Sequence, residues 1–340
     1  MKILVIGPSW VGDMVMAQSL FMALRQNHPG CEIHVLAPGW CRDLLGCMPQ
    51  VSAAIEMTVG HGELGWGKRR AIARRLKAEA FDQAIILPNS FKSALIPWFA
   101  GIPLRTGWRG EARSWLLNDC RVLDKAAYPL MVERFVALAY PPGASLPDPL
   151  PRPALAVDPA SRQAALEKFD LETGKPVLVL CPGAEFGEAK KWPAASYGKV
   201  TADWLGTGGQ AWILGSANDS KDAAAILATI PEAHRQFCRD LSGHTTLVEA
   251  IALMSCAGQV ISNDSGLMHM AAALGRPLVV VYGSTSPAFT PPLADNVKIV
   301  SLGLDCSPCF KRTCPLGHTD CLKKLPPEQV ALALQALESP

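Results

Sequence analysis

The residues of this 340-residue chain that could do chemistry lie in three short stretches, each directly behind an apolar run. The first is GPSWVGDM, residues 7–14, which follows KILVI. Two glycines separated by four residues have the outline of a phosphate-binding loop, but Asp13 stands where such a loop needs a lysine. A carboxylate there would repel a phosphate, and GxGxxG cannot be written onto residues 7–12 either. Neither nucleotide-loop reading therefore survives at this end of the chain, and taken alone Asp13 reads as a helix N-terminal carboxylate meeting the macrodipole.

The second stretch is SNDSGLMHMAAALGRP, residues 262–277, in which an Asn-Asp-Ser cap opens a helix behind the strand-like QVI. Backbone N–H groups at Ser265, Gly266 and Leu267, with the helix dipole behind them, suit a diphosphate, and Gly266 allows close approach. An ordinary capped helix would look the same. The third is CPGAEFGEAKKWP, residues 181–193, where Lys190 or Lys191 could reach phosphate oxygens and offset charge on a leaving group. Solvated lysines are the alternative.

The elements that must position these residues read as parallel α/β units. KILVIG, EIHVLAP and QAIILP in the first half, and PVLVLCPG, QAWILGS, QVISND and PLVVVYGS in the second, are strand-like runs alternating with helical patterns. After Asp13, Met14, Leu20, Phe21 and Leu24 recur at helical spacing until HPG at residues 28–30. Seven prolines within residues 141–159 form a stiff linker between two doubly wound domains. The domains expected are 1–150 and 151–325, followed by an amphipathic helix over 326–340. All three stretches sit at carboxyl ends of strands, so the ligand is expected in the cleft between the domains.

Composition narrows the classes. With 49% hydrophobic and 18% charged residues the chain is globular. No export signal is read at MKILVIG, and ALIPWFAGIPL, residues 94–104, is too short and too proline-rich to span a bilayer. Eleven cysteines suggest reduced thiols in a cytoplasm. Residues 1–157 hold 17 Lys and Arg against 12 Asp and Glu, whereas the remainder holds 15 against 18. The first half is thus the one suited to an anionic partner.

Taken together, GPSWVGDMVMAQSLF, PGAEFGEAKKWP, NDSGLMHMAAALGRPLVVVYGSTSP and CSPCFKRTCPLGHTDC resemble the ADP-heptose:lipopolysaccharide heptosyltransferases of glycosyltransferase family nine. The resemblance runs from Met1 to about Leu325. It implies an α/β GT-B fold of two Rossmann-like domains, with acceptor on the first, sugar nucleotide on the second, and the C-terminal helix packing back on the first. It implies inverting transfer of L-glycero-D-manno-heptose from ADP-heptose to the first heptose of Kdo2-lipid A. The catalytic aspartate falls on Asp13 and the phosphate-facing lysine on Lys190. The donor motif falls on Asp264, Ser265, Gly266, Leu267 and His269, with Gly183 and Asn218 as further donor-binding candidates. Related enzymes carry two threonines where this chain has Glu185 and Phe186. No metal is required, although Mg²⁺ could assist.

Basic residues at 68, 69, 70, 74, 75 and 77, followed by Arg105, Arg109 and Arg113, form either a solvated face or a contact surface. On the second reading Arg69, Arg70, Arg105 and Arg109 meet acceptor phosphates and Kdo carboxylates, or lipid headgroups on the cytoplasmic face of a Gram-negative inner membrane. Nucleic acid is not an expected partner. Cys306, Cys309, Cys314 and Cys321 carry one zinc-like C-x2-C pair, but the second pair lacks usual zinc-ribbon spacing, so packing thiols are expected. The alternatives to this activity are another acceptor position within the family, a non-catalytic sugar-nucleotide binder, an epimerase, or an oxidoreductase, the last opposed by the missing GxGxxG.

Overall fold

The computed structural model describes residues 1–60 and 62–337. The chain divides into two compact units, Met1–Pro153 and Ala154 onward, and the division falls inside the proline-rich linker. The helix Pro159–Lys168 begins at the linker's last proline, and Asp158 caps it through the amides of Ala160 and Ser161.

Each unit is built on a six-stranded parallel sheet. The first comprises β1 (Lys2–Ile6), β2 (Glu32–Ala37), β3 (Ala53–Glu56), β4 (Gln83–Ile86), β5 (Leu104–Trp108) and β6 (Asp119–Arg121). Their spatial order is β3-β2-β1-β4-β5-β6. The second comprises β7 (Val177–Cys181), β8 (Gln210–Ile213), β9 (Cys238–Asp240), β10 (Gln259–Asn263), β11 (Leu278–Val281) and β12 (Val297–Val300). Its order, β12-β11-β10-β7-β8-β9, is the same doubly wound topology. Strand order reverses between β1 and β4 in the first sheet and between β7 and β10 in the second. Registers there run Ile3 to Gln83 and Gln259 to Leu178.

The central strands are buried along their lengths because helices cover both faces, which is why they are nearly continuous Val, Ile and Leu. The first core joins Leu4, Ile6 and Ile86 to Ile72, Leu76 and Leu95, and the second joins Leu178, Leu180 and Ile261 to Trp192, Tyr197 and Ile226.

The C-terminal helix, Pro327–Gln335, corrects one expectation. Val330, Leu334 and Leu337 lie in the second unit's own core, Leu334 O accepts from Gln259 Nε2, and Glu328 pairs with Lys199. The apolar face of this helix is thus buried on the second unit, not on the first; residues 338–340 of the expected segment lie outside the described residues. Among the described residues no helix is long and apolar enough to cross a membrane.

Candidate active site

Asp13 lies in the first turn of the helix Val11–Asn27, reached from the carboxyl end of β1 through residues 7–10. It is partly exposed, and β1 borders the first sheet's order reversal. In an open parallel sheet that is where ligands bind. Gly7 keeps the loop tight: a Cβ there would come within 2.7 Å of Met14 Cε.

In the second unit the carboxyl ends of β7 and β10, neighbours at the corresponding reversal, bring the other two stretches together. Lys190, from the short turn Glu188–Lys190, places Nζ 2.6 Å from Asp264 Oδ2 and also donates to the Asp264 carbonyl. Thr285 Oγ1 donates to the same carboxylate oxygen at 2.5 Å. Asp264 is buried, while Ser265, Gly266 and Leu267, which open the helix Gly266–Ala273, are partly exposed. A partly exposed helix start therefore adjoins a lysine, and these two features are able to hold an anion. His269, one turn further, is buried; burial drives its pKa down to about 4, with Lys190 adding to the fall and Asp264 opposing it. Its imidazole is neutral at physiological pH.

The framework under these residues is polar and specific. Asn263, fully buried, donates to Pro182 O and accepts from the Trp192 amide and the Tyr197 hydroxyl. One side chain thus ties β10 to the loop after β7 and to the segment following Lys190. Lys191 pairs with Asp222 at 2.9 Å and Glu188 at 3.0 Å, so of the two adjacent lysines it is Lys190 that turns to the helix cap. Phe186 lies under both Lys190 Nζ, 5.0 Å from its ring centroid, and the Arg312 guanidinium at 5.5 Å.

Gly183 is packed against the buried Asp219, whose carboxylate a Cβ at Gly183 would approach to 2.5 Å. Asp219 accepts from the Ser216 amide at 2.9 Å and hydroxyl at 2.8 Å. Asn218 is exposed beside it, so the side chain that reaches Gly183 from this turn is that of Asp219.

The cysteine segment braces the Lys190 loop. Ala189 N donates to Arg312 O, Phe310 N to Ser284 O and Ser307 Oγ to Gly283 O. Cys306, Cys309, Cys314 and Cys321 line one cavity of about 20 Å³, and all four are free thiols. The Thr319 amide, followed by those of Leu316, Gly317 and His318, holds the Cys314 thiol below its ordinary pKa. Among the described residues, no group of three or more His, Cys, Asp or Glu stands in position to hold a metal ion.

The basic residues of the first unit separate into two sets. Arg69 is 4% exposed and donates to the carbonyls of Leu64 and Glu63, which withdraws it from the contact surface expected of it. Arg105 donates to Leu116 O and Ile102 O, and Arg113, fully buried, holds Trp108 O, Pro88 O, Ser93 Oγ and Asn89 Oδ1. Arg70 and Arg109 remain exposed.

Sequence reasoning missed Asn263 as the organiser of the site, Thr285 as a partner of Asp264, and Phe186 and Arg312 as neighbours of Lys190. Asn263 and Thr285 both lie inside stretches that stood out, NDSGL and GSTSP, so polar side chains flanking a strand end were the available signal.

A family profile described as glycosyltransferase family 9 (heptosyltransferase) matches residues 69–320. The chain is 47% identical to lipopolysaccharide heptosyltransferase 2 of Escherichia coli K12 over 99% of this chain and 98% of that one. It is also 47% identical to lipooligosaccharide heptosyltransferase 2 of Haemophilus influenzae over 89% of both chains. The solved structure of E. coli ADP-heptose lps heptosyltransferase II superimposes with a TM-score of 0.90 at 45% identity, covering 99% and 98% of the two chains.

Proposed function

The chain belongs to glycosyltransferase family 9, the heptosyltransferases, and from that membership we propose that it transfers L-glycero-D-manno-heptose from ADP-heptose to the first heptose of Kdo2-lipid A, with inversion. Its two Rossmann-like units make it a GT-B-type glycosyltransferase, in line with the fold expected from sequence. The observation that supports this donor is the cluster of Lys190, Asp264 and Thr285 beside the partly exposed helix start at Ser265–Leu267. Such a site offers a diphosphate leaving group a lysine ammonium, now paired with Asp264, and the positive end of a helix dipole.

In this reading the ADP diphosphate meets the amides of Ser265, Gly266 and Leu267, and Lys190 exchanges its bond to Asp264 for phosphate oxygens. Thr285 keeps the Asp264 carboxylate hydrogen-bonded through the exchange. An acceptor hydroxyl oxygen bonds to the anomeric carbon as Asp13 takes its proton, the bond from that carbon to the phosphate oxygen breaks, and ADP leaves with the electron pair. Attack opposite the leaving group inverts the centre through an oxocarbenium-like state. Lys190 and the helix terminus supply the charge that other transferases draw from a metal, so in this reading a metal is not required, though Mg²⁺ could assist. Arg70 and Arg109 meet the acceptor's phosphates and Kdo carboxylates on the cytoplasmic side of the inner membrane, where the protein is peripheral.

The test is ADP release and product mass with ADP-heptose and mono-heptosylated Kdo2-lipid A, for the wild type and Asp13→Asn. The expected result is addition of one heptose by the wild type and a loss of about a hundredfold or more in kcat for the variant. Transfer only to unglycosylated Kdo2-lipid A would overturn the acceptor assignment, and no turnover of ADP-heptose would overturn the donor.

A further inference from the structure

We propose that a ridge of aromatic side chains on the first unit, with the basic helix Trp66–Lys77 beside it, docks the enzyme on an anionic bilayer surface. The inference rests on the acceptor being a membrane lipid and goes beyond it by naming the surface that holds the enzyme there. Trp66, Trp98 and Trp115 are 46%, 40% and 61% exposed, and Leu64 beside Trp66 in sequence is 42% exposed. They are not scattered. Trp66 packs on Phe99, Phe99 on Trp98, Trp98 on Trp115, and Trp115 on Phe91, with ring centroids 5.1–6.0 Å apart. The rings belong to three separate segments, the helix Trp66–Lys77, residues 91–99 and the loop holding Trp115. The fold thus assembles a continuous apolar strip from distant parts of the chain and leaves it facing solvent.

The charge beside this strip selects the partner. The helix Trp66–Lys77 contains no acidic residue, and Lys68, Arg70, Arg74, Arg75 and Lys77 on it are exposed. Arg70 joins the two features directly, its guanidinium 5.0 Å from the Phe99 ring centroid. The acids nearby are already engaged: Glu63 pairs with Lys68, Glu79 with Lys2, and Glu111 accepts from the Phe91 amide. Ile72, Ala73 and Leu76 bury the helix's other face in the first core. Indole rings, apolar in body with one polar edge, settle at the headgroup level of a bilayer, and lysine and arginine side chains meet anionic headgroups there.

The experiment measures binding of the full chain to vesicles of phosphatidylcholine with and without phosphatidylglycerol, by co-sedimentation and by tryptophan emission. Variants are the double change Trp98→Ser with Trp115→Ser and the double change Arg74→Gln with Arg75→Gln. The wild type is expected to bind phosphatidylglycerol vesicles with a blue-shifted emission and to be released by salt. The tryptophan variant should lose most of the shift and the binding while keeping its melting temperature and its transfer to a detergent-dispersed acceptor. The arginine variant should bind more weakly by roughly fivefold per charge removed. Equal binding to both vesicle types, binding unchanged in the tryptophan variant, or a ridge that instead buries itself in a dimer in solution would each overturn the proposal. Vesicle binding does not depend on turnover, so failure of the transfer assay would leave this result separately readable.

Discussion

Replacing Lys190 with methionine separates its pairing with Asp264, which the structure shows, from the proposed contact with the leaving group. In the protein as it stands, Lys190 neutralises Asp264 across 2.6 Å, with the two side chains 14% and 5% exposed. Removing one member of a buried ion pair costs about 3–5 kcal/mol, because the remaining charge is left buried. Thr285 still donates to Asp264, which places the expected loss at the lower end, about 3 kcal/mol. For a unit of this size that is a fall of about 6–12 °C in melting temperature. If Lys190 also stabilises the departing diphosphate, kcat falls by about 100- to 1,000-fold. The double variant Lys190→Met with Asp264→Asn distinguishes the two effects, since an amide in place of the carboxylate removes the uncompensated charge. Thermal unfolding should recover most of its midpoint in the double variant, while ADP release in saturating donor stays as slow as in Lys190→Met alone. Recovery of wild-type kcat in the double variant would refute the reasoning, because the lysine would then be no more than a counter-ion for Asp264.

Gly183→Ala places a methyl group against the Asp219 carboxylate, where only 2.5 Å is available, and Asp219 is held by Ser216. The expected outcome is a destabilisation of about 1–3 kcal/mol in urea unfolding, with a raised KM for donor. An unchanged unfolding midpoint would show that Asp219 moves freely. His269 predicts a pH dependence: its folded-state pKa is about 4, below the ordinary 6.5 of an unfolded chain, so between those values the unfolded state binds the extra proton. Stability therefore falls as pH drops from about 6.5 to 4, by up to about 3 kcal/mol from this residue alone. His269→Gln should flatten that slope in urea unfolding compared at pH 5 and 7; an equal slope in both proteins would remove His269 as its source.

What could be read in the sequence follows from where each residue's partners lie. KILVI, VLVLC and LVVV were legible because a strand covered on both faces needs apolar residues at every position. AAIE, LRTGW, DCR, CRD and VKIV were not; they are short, partly exposed strands, four of them in the outer positions of the two sheets and LRTGW next to an edge, set by pairing with a neighbour more than by their own composition. The same logic explains the C-terminal helix, whose periodicity shows that Val330 and Leu334 share a buried face but is silent on which unit supplies the other side.

The candidate site divides along that line too. The positions of Asp13, Lys190 and Ser265–Leu267 were legible because a carboxylate, a cation and a helix start are properties of residue type placed after a strand. Asn263 was not, since its role consists of three bonds to Pro182, Trp192 and Tyr197, all distant in sequence. Arg69 is the instructive exception. Read as one charge in a basic run it belongs on the surface, yet Arg69, Ile72, Ala73 and Leu76 fall at helical spacing on one face and all four are buried. Periodicity therefore carried the answer that charge counting concealed. Among the exposed arginines of this helix, the same spacing sets Arg70 and Arg74 on a common outward stripe; of the two, it is Arg70 whose guanidinium reaches the aromatic ridge at Phe99.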